Sequence, residues 1–518
     1  AVTLAVTCFG QSKIVKDFKP VMDSLSRSMK ERTTVSIKFG VQNIMKRGNN
    51  LDFYFTQNFG DYPWRASDLI WFKKELKRLM PYEYQRYSIG AIYAKRVRVK
   101  NLPIDSLTNT GKPFSNRFRT KDLSKDDRPL VETVGRPVYS KGMNNRHIAL
   151  WQSHGKYYEQ GTQKWQWQRP PLFQTCEDMF TQGFVLPLLV PMLENAGANA
   201  LVPRERDTQK HEVIADQDPM FDLDEAYEAS LPLRGRGSYD ETGVWKDAGV
   251  GFADSKAVFT RNENPFRQGR ARMTGCVRSS DDKDAATAVW TMDVPERGEY
   301  AVYVSYKSFR ASTDGAHYVV KHLGGESEFI VNQKIGGSTW VYLGSFEFSP
   351  EQAAVVTLDN VTPKSVKFRK ENVVSADAVR LGGGMGNVAR RHFKDKESYP
   401  ELSGMPRYVE GARYSMQWYG ADSTVYSQNN QVEDYNDDFM SRGTWTSWLS
   451  GGSKINPKEK GLGIPLDLSL GFHTDAGVTP DDSIIGTLAI YTLLSQNSQK
   501  LPSGEDRMSC REFTDVMQ

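Results

Sequence analysis

Two short histidine-bearing segments, far apart in the chain, carry its clearest chemistry. His154 closes the run IALWQSH, and His473 closes LDLSLGFH. Each reads as a buried strand ending in an imidazole, followed by small or polar residues. Strand ends are where α/β folds build their sites. Two neutral imidazoles and one carboxylate form a three-ligand set that leaves a catalytic zinc one open position. Glu177 is the carboxylate that fits. It falls in the first turn of the helix predicted after the His154 strand, where the helix dipole keeps a carboxylate ionised. In a parallel α/β sheet that helix start lies at the same edge as the end of the preceding strand, so the three side chains can converge. Alone, Glu177 is a helix N-terminal charge and His154 an ordinary hydrogen-bonded histidine; the joint pattern makes them a candidate metal site. Asp475, two residues past His473, is either a turn residue or a partner that orients a ligand histidine. His147, His211, His317, His322 and His392 have no such pattern around them and are read as structural.

The elements that must position these residues follow from periodicity. Residues 11–130 read as a small N-terminal α/β domain without evident chemistry. VKDFKPVMDSLSRSMKERT and SDLIWFKKELKRLM have helical spacing, the second with Ser67 as N-cap, while TVSIKFGV, LDFYFTQNF and IGAIYAKRVRVKNL read as strands. Residues 131–234 read as strand, aromatic loop, helix and strand. The helix has Thr175 as N-cap, Gly197 as its stop, and Pro187 and Pro191 as places where it kinks or breaks. Residues 235–384 carry short alternating strands at close intervals, the pattern of an all-β sandwich. Residues 385–518 return to mixed α/β, with LDLSLGFH and GTLAIYTL as strands and a helix opening near Met508. The expected fold is therefore multidomain α/β plus all-β. An α/β core with a mixed, mostly parallel sheet is interrupted by an inserted sandwich, which surface loops tolerate.

Composition bounds the rest. The chain has 518 residues, 67 Lys+Arg against 63 Asp+Glu, and 39% hydrophobic content. That is soluble multidomain protein without the basic excess of a nucleic-acid binder. No stretch is long and apolar enough to predict a membrane span. AVTLAVTCFG, residues 1–10, reads as the back half of a secretory signal peptide, which predicts a secreted or periplasmic protein; a first β-strand is the other reading. Cys8, Cys176, Cys276 and Cys510 have no knuckle spacing and are read as free thiols. Oligomeric state is not legible.

At the metal-site residues the chain resembles the zinc-dependent N-acetylmuramoyl-L-alanine amidases of the type 3 amidase family. SHGKYYE matches the family's first His segment at His154, CEDMF through PRERD its Glu-helix-strand block with Glu177, Arg204 and Asp207, and GFHTDAG its last His segment at His473. The resemblance covers roughly 140–224 and 460–518. It implies Zn2+ as cofactor and peptidoglycan as substrate, with cleavage of the amide between N-acetylmuramic acid and L-alanine. Lys156 replaces the second glycine usual after the first His-Gly, and the loop to Glu177 is longer. The family's general-base Glu would fall on a strand beyond Gln518, so the second amidase-like part, 385–518, reads as truncated. DVPERGEYAVYVSYK, GGSTWVYLGSFEF and VVSADAVRLGG resemble the golvesin-type, xanthan-lyase-like sandwich, with Asp377 structural. A likeness of domain is not lyase chemistry. The rival expectation is a non-catalytic cell-wall or polysaccharide-binding protein with a degenerate amidase core, using the sandwich and the Trp165–Trp167 loop. A polysaccharide lyase ranks last, because no charge-stabilising Tyr, His and Arg set is identifiable.

Overall fold

The computed structural model describes residues 13–33, 37–62, 64–95, 97–101, 127–171, 175–218, 235–253, 258–474, 487, 489–495 and 497–517. The signal-peptide reading of 1–10 and the role of Asp475 lie outside them. The chain divides into two compact units, 1–121 with 479–518, and 122–478. The sequence reading differs here, since it runs the second α/β part through to 518.

In the first unit four strands lie in the order Val41–Arg47, Asn50–Phe55, Ser88–Ala94 and Val97–Arg98. The middle two are parallel, joined through the helix Ala66–Arg78. That helix buries Leu69, Phe72 and Leu76, one apolar stripe at helical spacing. Its N-cap is Arg65 rather than the expected Ser67, with no side-chain capping bond. The helix Met508–Met517 belongs to this unit, and Met508 packs into its core with Phe18, Phe53 and Phe72. Of the strand expected at 486–493, the described residues 487 and 489–493 form none, and 486 and 488 lie outside the described residues.

The second unit holds a three-stranded, fully parallel sheet in the order Leu468–Phe472, His147–Gln152, Asn199–Leu201. Every residue of the central strand is buried, as a strand covered on both faces must be. The pleat sends alternate side chains to opposite layers. Ile148 and Leu150 pack with Val185, Val190 and Ala200. Ala149 and Trp151 face the other way, into the main core with Trp445 and Leu449. The segment 177–195 is helical but broken, with a wide π-helical turn at Val185–Leu189. Pro187 and Pro191 lack the amide hydrogens an unbroken helix would use. Gly197 ends it at φ +105°, donating to the Glu194 carbonyl at 2.9 Å.

The β-sandwich has a six-stranded sheet, Arg236–Thr242, Thr287–Asp293, Ala354–Asp359, Ala316–His322, Gly325–Val331 and Val131–Thr133. A four-stranded sheet runs Val213–Ala215, Val379–Leu381, Gly298–Val304, Val341–Phe348. A third, three-stranded sheet joins Lys246–Gly251, Gly269–Gly275 and Val373–Ala376. Alternating burial in Thr287–Asp293 and Ala316–His322 gives each an inward apolar face. The sandwich is broader than 235–384, because Val131–Thr133 and Val213–Ala215 complete two of its sheets. It shares one continuous core with Ala149 and Trp151 of the parallel sheet. Asp377 is structural here: its carboxylate accepts from Phe252 N at 3.0 Å and Ser305 Oγ at 2.9 Å.

His147 opens the central strand, and its Nε2 accepts from Leu130 N at 2.9 Å. Burial pushes its pKa down to about 4. An imidazole that resists protonation when folded contributes stability that is complete above the ordinary histidine pKa. That contribution drains away as pH falls from about 6.5 toward 4, because the unfolded chain takes up the proton first. The His147 ring, followed by NMR, is expected to stay neutral down to about pH 4, while urea stability of the 122–478 unit falls over that window.

Candidate metal centre

The structure brings His154, Glu177 and His473 together, with one ligand atom from each lying within 4.8 Å of the others. His154 and His473 leave the ends of adjacent parallel strands, paired through Phe472 and Gln152, and their rings are 4.7 Å apart. Ser153 makes the turn between strand and ligand. It holds φ +60°, a left-handed conformation uncommon outside glycine, and sits fully buried. Glu177 opens its helix from a Cys176 N-cap, one residue later than the expected Thr175, and without a side-chain capping bond.

The carboxylate of Glu177 organises the centre. Its Oε1 accepts from Ser153 Oγ at 2.9 Å and Thr474 N at 3.1 Å, and lies 2.9 Å from His473 Nδ1. Its Oε2 lies 3.5 Å from His154 Nδ1 and 3.5 Å from Arg169 Nε. Tetrahedral zinc with bonds near 2.1 Å would set its donors about 3.4 Å apart, close to the His154–Glu177 separation of 3.5 Å, whereas the 2.9 Å between His473 and Glu177 is a hydrogen-bond length. Burial holds the His154 imidazole in its neutral form, far below the ordinary range and against the pull of Glu177. A neutral ring is the form a metal requires. Asp178 lies beneath, its Oδ1 3.8 Å from His154 Nδ1. Burial pushes its carboxyl up to about 6, against Arg204.

Arg204, matched to the amidase block by sequence, is fully buried and directs its hydrogen bonds to main-chain carbonyls. Its guanidinium donates to the carbonyls of Gln152 at 3.1 Å, Asp178 at 3.2 Å, Glu410 at 3.1 Å and Tyr408 at 2.8 Å, and to that of His154. It therefore clamps the first ligand strand to the start of the Glu177 helix. Asp207 accepts from Ala301 N at 2.7 Å and Gln209 N at 2.9 Å, tying its segment to the sandwich. Ser153, Arg169 and Arg442 are missing from the sequence-derived set. Only Ser153 had a local signal, as the small residue between a buried strand and the ligand.

Gly155 follows His154 where the chain passes against another backbone. A Cβ at this position would collide with the Glu410 carbonyl and the Gly411 nitrogen. Gly155→Ala is expected to force that backbone apart and destabilise the unit by roughly 1–3 kcal/mol. Urea unfolding measures the effect.

The remaining histidines have other partners. His211 Nε2 lies 2.8 Å from Glu296, His317 Nδ1 2.7 Å from Asp359, and His322 Nε2 3.0 Å from Ser327 Oγ. The aromatic segment read as a loop is a two-stranded hairpin, Lys156–Glu159 with Lys164–Trp167. Trp165 packs on Tyr414 at 4.8 Å and donates to the Glu401 carbonyl at 3.3 Å, while Lys156 Nζ sits 5.4 Å from the Trp167 ring. Cys176 and Cys276 are buried free thiols, and Cys510 is a partly exposed one. Among the described residues no helix is long and apolar enough to cross a membrane.

Comparison with known proteins adds the following. The xanthan lyase of Bacillus sp. (strain GL1) is 25% identical over 140 residues, which span 27% of this chain and 13% of that enzyme. The solved Paenibacillus xanthan lyase aligns at 20% identity and TM-score 0.23, covering 33% of this chain and 13% of that one. The CBM35 from Cellvibrio japonicus Abf62 aligns at 17% identity and TM-score 0.17, covering 28% of this chain and 86% of that one. Residues 269–383 match the family described as the Golvesin C-terminal domain, and that match lies wholly inside the β-sandwich, apart from His154, Glu177 and His473.

Proposed function

We propose that the chain is a metal-dependent amide hydrolase of peptidoglycan, cleaving between N-acetylmuramic acid and L-alanine, with its β-sandwich serving glycan attachment. The observation that supports this is the convergence of two strand-end imidazoles and one helix-start carboxylate on a single point. A zinc ion held there supplies a Lewis acid and lowers the pKa of a bound water. The protein's own residues set the geometry. Ser153 Oγ and Thr474 N fix the Glu177 carboxylate, and burial keeps His154 neutral. His473, with its side chain 29% exposed, forms the solvent-facing side of the set, while His154 and Glu177 form its floor. Substrate therefore approaches from the His473 side. Zinc analysis of purified protein, with a muropeptide digest read by mass, tests the proposal. Release of free stem peptides beginning at L-alanine is expected; protein that takes up no zinc would remove the site.

A second reading, attachment to polysaccharide without catalysis, is favoured by the golvesin match and the lyase likeness of the same stretch. Affinity electrophoresis of the full chain in gels containing xanthan or soluble peptidoglycan separates the two. Retardation without any stem-peptide release would favour attachment alone.

A further inference from the structure

Two guanidinium groups border the ligand set, and holding an ion requires neither of them. Arg169 sits on the rim with its side chain 37% exposed, its Nε 3.5 Å from Glu177 Oε2. Arg442 reaches over from the helix Asp434–Ser450 and donates through Nη1 to His473 Nε2 at 2.7 Å. Its guanidinium lies 5.2 Å from the Trp151 ring and 5.5 Å from the Phe439 ring, a slot that restricts its movement. Glu177 and His473 thus stand between two cations, one on each side. Arg204 cannot play the same part, because it is buried and its donors are taken by main-chain carbonyls.

Arg169 and Arg442 stand beside three buried carboxylates, Glu177, Asp178 and Asp438, and a bound divalent cation would offset part of that negative charge and leave the two guanidinium groups to face an incoming anion. Such a rim favours an anion, and the planar guanidinium fork matches a carboxylate. Resting on the hydrolase reading for its substrate, we propose that Arg169 and Arg442 form a subsite for a free carboxylate of the stem peptide, next to the bond that is cut. In peptidoglycan the residue after L-alanine carries an α-carboxyl that is either free or amidated. The subsite selects the free acid.

The test titrates N-acetyl-L-alanyl-D-isoglutamate and its isoglutamine amide into the full chain by calorimetry, with and without Zn2+. The acid is expected to bind roughly tenfold tighter than the amide. Arg169→Gln and Arg442→Gln should each bring the two affinities to within about twofold. Arg169→Lys should restore part of the preference, since it keeps the charge but loses the fork. Equal affinities in the unaltered protein, no measurable binding of either peptide, or a preference that survives both glutamine variants would overturn the subsite. A preference that persists in protein unable to take up zinc would uphold the subsite and remove the hydrolase reading. Zinc uptake without a preference would do the reverse.

Discussion

His154→Ala should lower zinc affinity by roughly a thousandfold, an order beyond the loss produced by an outer partner of a ligand. His154 is almost completely buried, and the neighbouring Glu177 and Asp178 offer carboxylates rather than a replacement nitrogen. Glu177→Gln should act as strongly, for a second reason. The carboxylate is the common acceptor of Ser153 Oγ and Thr474 N, and it faces both histidines. An amide keeps the shape but loses the charge, and its nitrogen would turn a donor toward groups that already donate. Equilibrium dialysis against zinc, with His392→Ala as a control, measures both variants. Retention of zinc by the His154 and Glu177 variants, at the level of the unaltered protein, would refute the centre.

Arg204→Ala should carry the largest stability loss in the 122–478 unit, about 3–5 kcal/mol. Removing the guanidinium strands buried carbonyls, each of which costs about 1–3 kcal/mol when unsatisfied, and opens a cavity the size of the side chain. The carbonyls belong to Gln152, His154, Asp178, Tyr408 and Glu410, so one substitution loosens three separate segments. Hydrogen exchange should rise together at 152–154, 177–180 and 408–411, while the 13–33 helices stay protected. Arg204→Lys should recover only part of the loss, since an ammonium has three donors and no planar fork. Unchanged exchange in all three segments would show that the clamp is not needed.

Much of this site can be read from the sequence, and the reason is local. His154 and His473 follow strands and Glu177 opens a helix, and a strand end or helix start fixes where a side chain emerges. Arg442 has no such mark. It lies inside a seventeen-residue helix, and only packing on Trp151 brings it to His473. The N-caps at Ser67 and Thr175 fail for a similar reason: neither helix start uses a side-chain capping bond. Short edges are also silent. Val131–Thr133 and Val213–Ala215 have three residues each, too few to show a period. Thus the sandwich is legible between 235 and 384, but its true margins are not. The parallel sheet is legible at its three strands, whereas 489–493, the continuous described part of the strand expected at 486–493, has a strand-like composition without a strand.

Those three-residue edges bear on how the molecule can be taken apart. A fragment cut at 235 and 384 would leave Gly325–Val331 and Val379–Leu381 each with an open flank of main-chain donors and acceptors. Open flanks of that kind recruit other chains. Expressed alone, the golvesin-like region should self-associate, and supplying 128–134 as a separate peptide should cap one flank and make it more soluble. For the same reason both sheets wait on chain made before the segment: Val131–Thr133 and Val213–Ala215 emerge first, and each stays without its neighbour until the segment that pairs with it has followed.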